Sequence, residues 1–246
     1  MYQKRPMYPS LPMIAAIAIA GIAAGAGNSS AQAIPLERAA SIGGAGAVYT
    51  VGSGSYYLSR NIVLKGNNAN AINITGPNVS IDFRGYSIIG KSGAGGIGIN
   101  AANQPNVTIQ NGNIIGMRGG GVIVGNGSTV TSMHIAGGGA GIVCGSSCVI
   151  ENNSVSGNSG DGISAAGLIH GNTVDGNTGN GITSNGITAG ANSSITGNEV
   201  SGNTSIGIAM QPKDGFSNNV ISSGATTISG GVDAGGNVCN GSTSCP

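Results

Sequence analysis

The chain contains no tryptophan, two phenylalanines and six tyrosines, and charged residues make up only 7% of its 246 residues. Leucine is rare, which argues against a leucine-rich repeat, and WD or kelch propellers would need aromatic signatures that are missing. Intrinsic disorder is also disfavoured, because disordered chains are highly charged and poor in Ile and Val. The 48 glycines follow no strict Gly-X-Y period, which excludes collagen.

The N-terminal segment has the pattern of a secretory signal. Lys4 and Arg5 precede an apolar run at 13–26, which is shorter than the about 20 residues of a membrane span. A small-x-small pattern, Ala31-Gln32-Ala33, follows it, so we expect residues 1–33 to be cleaved. We predict a secreted or periplasmic protein without membrane insertion after cleavage.

Acidic and basic residues almost balance in the remaining chain. Without Lys4 and Arg5, seven basic residues face eight acidic ones. A nucleic-acid-binding protein needs a basic footprint, and this balance provides none. We therefore expect no nucleic-acid partner.

The four cysteines form two close pairs, Cys144 with Cys148 and Cys239 with Cys245. In an exported protein this spacing predicts two local disulfides. A zinc site is the alternative, but the spacings C-x3-C and C-x5-C are unusual for zinc and neither histidine neighbours the cysteines. We predict no metal site and no cofactor.

A repeat of about 19 to 26 residues runs through most of the chain. Residues 150–162 (IENNSVSGNSGDG) and 169–181 (IHGNTVDGNTGNG) agree in register, and two interleaved apolar series extend this register in both directions. The first series is Ile88, Ile114, Ile135, Val155, Val174, Val200 and Val220. The second series is Ile72, Ile97, Val122, Ile142, Ile163, Ile182, Ile208 and Val232.

The short apolar pieces between Gly, Asn and Ser clusters often alternate with polar residues, which is the periodicity of strands. The pattern predicts an all-β fold, a right-handed parallel β-helix of about eight coils with both apolar series pointing inward. A stacked amide ladder is predicted at Asn153, Asn172, Asn198 and Asn218. The expected division is a cap at 34–48, a β-helix at 49–238 and a disulfide-closed tail at 239–246.

Three stretches resemble bacterial right-handed parallel β-helix repeat proteins, which share the pectate-lyase-like fold. They are Gly54–Leu58, Val79–Gly90 and the repeated Asn-x-Val-x-Gly-Asn units. The resemblance covers roughly residues 46–245 and implies the fold, but the group includes lyases, hydrolases, epimerases and non-enzymes. The galacturonase-type motifs of related enzymes are missing, apart from a fragment at Ile169-His170-Gly171.

Two sets of residues are candidates for function. Glu151 and His170 occupy equivalent positions on successive coils, so an ion pair or a catalytic acid–base couple is expected there. The second set, a candidate site for acidic polysaccharide, contains Lys65, Lys91 and Arg118 at nearly equivalent corners of the first coils, and Tyr86. For both sets, we favour ordinary solvated surface polarity over a functional role.

The remaining acids do not assemble into a carboxylate pair of the glycoside-hydrolase type, because Asp161, Asp175 and Glu199 fall in different columns or on separated coils. We therefore interpret the chain as a non-catalytic binding or scaffold protein of the cell envelope or extracellular space, with polysaccharide as the expected partner. A polysaccharide lyase, hydrolase or epimerase is the alternative. A calcium roll is disfavoured, since Gly157–Asp161 is a single imperfect match.

Overall fold

The computed structural model describes residues 32–39, 41–42, 47–65, 68–91, 94–178, 187–223 and 225–245. The predicted signal segment, residues 1–33, lies outside the described residues except for Gln32 and Ala33. All the described residues belong to one compact unit.

The elements of the described residues are 27 short strands and one short helix. From the N-terminal end they are β1 (Ile34–Pro35), α1 (Leu36–Ala39), β2 (Ser41–Ile42), β3 (Ala47–Val51), β4 (Gly54–Tyr57), β5 (Ile62–Leu64), β6 (Asn70–Ile74), β7 (Val79–Asp82), β8 (Ser87–Gly90) and β9 (Ile97–Ala101). The middle part contains β10 (Val107–Ile115), β11 (Gly120–Val124), β12 (Thr129–Ala136), β13 (Ile142–Cys144), β14 (Cys148–Glu151), β15 (Ser154–Ser156), β16 (Ile163–Ala165), β17 (Gly167–His170) and β18 (Thr173–Asp175). The last part contains β19 (Ile187–Ala189), β20 (Ser194–Thr196), β21 (Glu199–Ser201), β22 (Ile206–Ala209), β23 (Gly215–Ser217), β24 (Val220–Ser222), β25 (Thr226–Ser229), β26 (Val232–Asp233) and β27 (Val238–Cys239).

The strands stack into a large sheet of 17 strands and a small sheet of 10. Each coil contributes one strand to the small sheet and then two to the large sheet, as in β6, β7 and β8. In two coils the large-sheet pair is a single long strand, β10 or β12, which pairs with both strands of a neighbouring coil. The ladders between coils are parallel, whereas β2 pairs antiparallel with β3 at the N-terminal end. Without β2, the small sheet has nine parallel strands, hence about nine coils. The predicted all-β parallel β-helix is confirmed, with one coil more than predicted.

The first apolar series forms an inward column of the large sheet, as predicted, except at its last member. Val200 pairs with Ile221, which is buried, whereas Val220 points outward and is 49% exposed. The prediction was wrong by one residue because two asparagines precede Val220. Asn218 occupies the left-handed turn position (φ 55°) that Gly197 holds on the preceding coil, and this shifts the inward position to Ile221.

The predicted second apolar series also differs from the structure at two positions. The inward column of the small sheet is Ile72, Ile99, Val122, Ile142, Ile163, Ile187, Ile208 and Ile228. Ile97 pairs with Gly120 at the start of its strand, so Ile99 takes the inward place. Val232 belongs to a strand of the large sheet and is exposed, because the preceding Gly230-Gly231 turn has already left the small sheet. Ile182 lies outside the described residues.

The predicted amide ladder is present, with Asn219 in place of Asn218. It consists of Asn153, Asn172, Asn198, Asn219 and Asn237, all buried. The Oδ1 of Asn172 accepts the backbone N–H and the Nδ2–H of Asn153, each at 3.0 Å. The Nδ2 of Asn172 donates to the carbonyl of Ile150 (2.9 Å) and to Oδ1 of Asn198 (3.0 Å). Each amide thus satisfies its neighbours as well as the backbone of the preceding coil.

A second ladder, which the sequence analysis missed, lies five residues further along each coil. It contains Asn158, Asn177 and Asn203 and ends on Ser223. The Oδ1 of Asn177 accepts from the backbone N–H of Asn158 at 3.1 Å, as in the first ladder. The Gly-Asn pairs of the repeat were its signal, because a glycine with positive φ precedes each asparagine.

The N-terminal end of the coils is covered by β1, α1 and β2, which lie within the predicted cap. Leu36 of α1 is buried in the core. The Glu37 carboxylate accepts hydrogen bonds from the N–H (3.3 Å) and the hydroxyl (3.1 Å) of Ser59, and this holds the helix against the first coil. Among the described residues, no helix is long and apolar enough to cross a membrane.

Both predicted disulfides are present in the structure. Cys144 and Cys148 close the turn between β13 and β14, with their Cα atoms 6.4 Å apart. Cys239 ends β27 and pairs with Cys245 in the C-terminal tail, with a Cα separation of 5.3 Å. The cysteines are therefore not zinc ligands.

The corrected register predicts opposite effects for one substitution at two valines. Val155→Asp places an unpaired charge in the inward column and should lower the free energy of unfolding by at least about 3 kcal/mol. Val220→Asp faces solvent and should change it by less than about 1 kcal/mol. Chemical denaturation followed by circular dichroism measures both, and equal losses would disprove the register.

The ladder predicts a large cost for removing one buried amide. Asn172→Ala leaves the amide groups of Asn153 and the carbonyl of Ile150 short of partners, so it should destabilise the fold by about 2–4 kcal/mol. Thr173→Ala, at the exposed neighbouring position, is the control and should cost less than about 0.5 kcal/mol. A similar loss in both variants, measured by urea denaturation, would contradict a stabilising ladder.

Candidate functional site

The outer face of the large sheet carries a continuous column of polar side chains, which we call the central column. It consists of Tyr57, Asp82, Gln110, Thr131, Glu151, His170, Thr196 and Ser217. The backbone register pairs Glu151 directly with His170, as the sequence analysis expected. Within the described part of the chain, however, no ion pair or hydrogen bond joins these two side chains.

The His170 ring instead bonds to the following coil. Its Nδ1 lies 3.0 Å from the hydroxyl oxygen of Thr196 and 3.1 Å from the carbonyl oxygen of Thr196. His134 lies in another column, with its Nδ1 3.3 Å from the Ser154 hydroxyl. The two histidines are thus held by neutral partners, not by carboxylates.

Several acids accept hydrogen bonds within turns or from a neighbouring coil. The buried Asp214 carboxylate accepts the backbone N–H groups of Ser193 and Gln211, each at 2.8 Å. Asp175 accepts from the Ser201 hydroxyl at 2.7 Å, and Asp82 from the backbone N–H of Arg84 at 2.8 Å. In the part of the chain that the structure describes, no three His, Cys, Asp or Glu residues are grouped so that they could hold a metal ion.

The predicted basic corner is only partly aligned. Lys65 and Lys91 follow β5 and β8, and the Lys91 N–H donates to the carbonyl of Leu64 (2.9 Å), so the two lysines are neighbours on successive coils. Counting on from the pair of Ile89 with Ile115, the buried Met117 is the residue opposite Lys91, and Arg118 lies one position further. This one-position offset of Arg118 was not predicted from the sequence, because the coils differ in length. All three basic residues are exposed.

An exposed apolar column, which the sequence analysis did not identify, lies beside the two lysines. Val63, Ile89 and Ile115 pair with one another on the outer face of the large sheet. Val63 is 46% and Ile115 is 40% exposed. Strand alternation was its signal, since each of these residues neighbours an inward isoleucine. The exposed Tyr86, a predicted ligand-binding residue, directly precedes β8.

A cavity of about 490 Å³, which we call the cap pocket, lies between the cap and the first coil. Its lining residues are Pro35, Glu37, Arg38, Tyr57, Ser59 and Arg60. The Arg60 Nη2 donates to the Tyr49 hydroxyl at 3.4 Å, and this contact raises the pKa of the guanidinium, which stays protonated. The Arg60 Nε also lies 3.9 Å from the Glu37 carboxylate.

The Tyr57 ring, which lines the cap pocket, also contacts a third arginine, Arg84. The guanidinium carbon of Arg84 lies 3.4 Å from the centre of the ring, a cation–π contact across neighbouring coils. The Asp82 carboxylate bonds to the Arg84 backbone N–H, while the Arg84 side chain reaches Tyr57.

Comparison with protein families gives one result. A family model described as a right-handed β-helix region matches residues 92–245, more than half of the chain. The chain belongs to the right-handed β-helix family. Comparison with curated proteins and with solved structures gives no match. The family match supports the predicted handedness, but it describes a fold and carries no activity.

The right-handed β-helix thus brings together Glu151 with His170, and Lys65 with Lys91, at two separate places. Glu151 and His170 lie on the middle coils, whereas the lysines, the apolar column and the cap pocket lie on the first coils. The cap pocket could not be predicted from the repeat pattern, because the cap is not part of the repeat. The first coils therefore contain the richest combination of charge, aromatic and apolar surface.

The geometry predicts that Glu151 and His170 are energetically independent. Glu151→Gln, His170→Ala and the double variant should give a coupling energy below about 0.5 kcal/mol, because no bond joins the two side chains. Urea denaturation at neutral pH measures the cycle. A coupling energy above about 1 kcal/mol would show that the two residues act as a pair.

Proposed function

We propose that this right-handed β-helix is an exported, non-catalytic scaffold that binds acidic polysaccharide on its first coils. The observation that carries the proposal is the exposed apolar column beside Lys65 and Lys91. A sugar ring has apolar C–H faces and a polar rim, and an acidic sugar adds a carboxylate. A surface with aliphatic side chains next to cations fits both features.

The spacing of the coils supports an elongated ligand. Neighbouring strands lie about 4.8 Å apart, so Val63, Ile89 and Ile115 form a straight row along the axis of the coils. Lys65 and Lys91 repeat with the same spacing at the end of their strands. Tyr86 precedes β8 and Arg118 follows β10, so they flank the row on opposite sides. A polysaccharide lying along this row meets aliphatic side chains on three coils and lysines on the first two of them.

The placement of the ionisable residues supports a role without catalysis. Asp82 and Asp214 accept backbone N–H groups within turns, Asp175 accepts from a serine of the next coil, and His170 bonds to Thr196. General acid–base catalysis needs a group that reaches the substrate with a proton to exchange. In this protein these groups stabilise the coils.

Two disulfides support export. Disulfides form and persist in oxidising compartments and are rare in the cytosol. The apolar N-terminal run and its small-x-small pattern agree with this location. A rigid rod of stacked coils is a suitable scaffold in such a compartment, because each coil is held by its neighbours.

The proposal predicts two separable contributions to binding. Lys65→Gln with Lys91→Gln should weaken the affinity for a uronate oligomer at least about tenfold at low salt, and less at moderate salt, because exposed charges are screened. Val63→Thr with Ile115→Thr should weaken it by a factor that salt does not change, because Thr keeps the β-branched shape and loses apolar surface.

The same measurement, biolayer interferometry at two salt concentrations, includes Lys213→Gln as the control for a distant exposed charge. Unchanged affinity in both double variants would refute binding at this site.

The pairing of Glu151 with His170 favours a second candidate, a polysaccharide-active enzyme. Turnover of the oligomer that disappears in His170→Ala, with binding retained, would establish the enzyme and end the scaffold proposal.

A further inference from the structure

Two guanidinium groups and one aromatic ring line the cap pocket, and a third guanidinium lies against this ring. Arg38 and Arg60 line the cavity, and Arg84 lies over the face of Tyr57 at 3.4 Å. The nearby carboxylates are those of Glu37 and Asp82, so positive charge is in excess. This combination differs from the basic corner, where the cations are lysines without a cavity.

The Glu37 carboxylate is already engaged by the first coil. It accepts two hydrogen bonds from Ser59 and lies 3.9 Å from the Arg60 Nε, and its side chain is only 10% exposed. Its negative charge is therefore shared with Arg60 and with the turn. The guanidinium groups are therefore more accessible to a ligand in the cavity than this carboxylate is.

Arg38, in contrast to Glu37, is not held by such contacts. It is exposed, and among the described residues it forms no hydrogen bond or ion pair. A planar guanidinium binds a carboxylate through two parallel hydrogen bonds, which a lysine cannot do. Arg38 is thus the donor of this cavity that is available to an incoming anion.

We propose that the cap pocket binds one uronic acid residue, with its carboxylate on Arg38 and its ring against Tyr57. The cavity of about 490 Å³ lies within the range of about 300–1,000 Å³ that is usual for small-molecule pockets. The apolar face of a pyranose packs on the side of the Tyr57 ring that Arg84 leaves uncovered, and the guanidinium groups of Arg38 and Arg60 select the charged sugar over its neutral counterpart. The pocket is a subsite of the polysaccharide-binding surface and rests on the proposed function for its biological ligand.

The distance between the two sites allows separate tests. Arg60 and Lys65 are five positions apart in the sequence, with β5 between them, a path of about 16 Å at about 3.3 Å per residue. A single sugar in the pocket does not reach Lys65, whereas a long oligomer spans both sites. Monomer and oligomer titrations therefore report on different residues.

The experiment is a titration of ¹⁵N-labelled protein with glucuronate, followed by the amide signal of Ser59 and its neighbours in NMR spectra. Glucose tests the need for the carboxylate, and acetate tests the need for the sugar ring. Arg38→Gln should weaken glucuronate binding about tenfold, and Arg38→Lys should restore part of the loss, because it keeps the charge without the paired donors. Tyr57→Leu should weaken glucuronate but leave acetate unchanged. Lys213→Gln is the control.

Three results would overturn the subsite. They are equal binding of glucose, acetate binding as tight as that of glucuronate, and glucuronate binding that Arg38→Gln does not change. Oligomer binding that depends on Lys65 and Lys91 but not on Arg38 would remove the pocket and leave the proposed function standing. Glucuronate binding that depends on Arg38, without any oligomer binding at the lysines, would keep the pocket and refute the proposed function.

Discussion

From β14 onwards, the fold depends on the requirement that a buried amide must be satisfied on each coil. An asparagine in the first ladder is satisfied by the equivalent asparagine of the next coil and by a backbone carbonyl of the preceding coil. Successive members are separated by 19, 26, 21 and 18 residues along the chain. The ladder stays in register through these changes, so extra residues are accommodated in the loops and the core column remains continuous.

This constraint explains which parts of the molecule are predictable from sequence. The apolar and polar columns follow the ladder, so the pairing of Glu151 with His170 was predictable from spacing alone. The errors at Val220 and Ile97 arose at corners, where a residue with positive φ or the start of a strand shifts the inward position. Because strand alternation has a period of two, a shift of one residue reverses the face of every side chain that follows.

The candidate site was less predictable, since side-chain direction is not periodic. Spacing placed His170 beside Glu151, yet its ring bonds to Thr196 on the other neighbouring coil. Arg84 lies two residues from Asp82 but reaches over Tyr57 instead. The cap pocket depends on a helix outside the repeat. The proposed recognition surface lies at the first coils, next to the cap, which is not part of the repeat.

The last asparagine of the ladder ends the repetition within the molecule. The Nδ2 of Asn237 donates to the Asp233 carboxylate at 2.6 Å, on its own coil, instead of to a further asparagine. Stacked β layers grow without limit when each layer presents unpaired groups to the next. Here the Asp233 carboxylate accepts the amide hydrogen that would otherwise bond to an asparagine of a further coil. Asp233 thus works as a chain stopper does in polymer chemistry, and a sequence capable of fibre-like stacking remains a molecule of defined length.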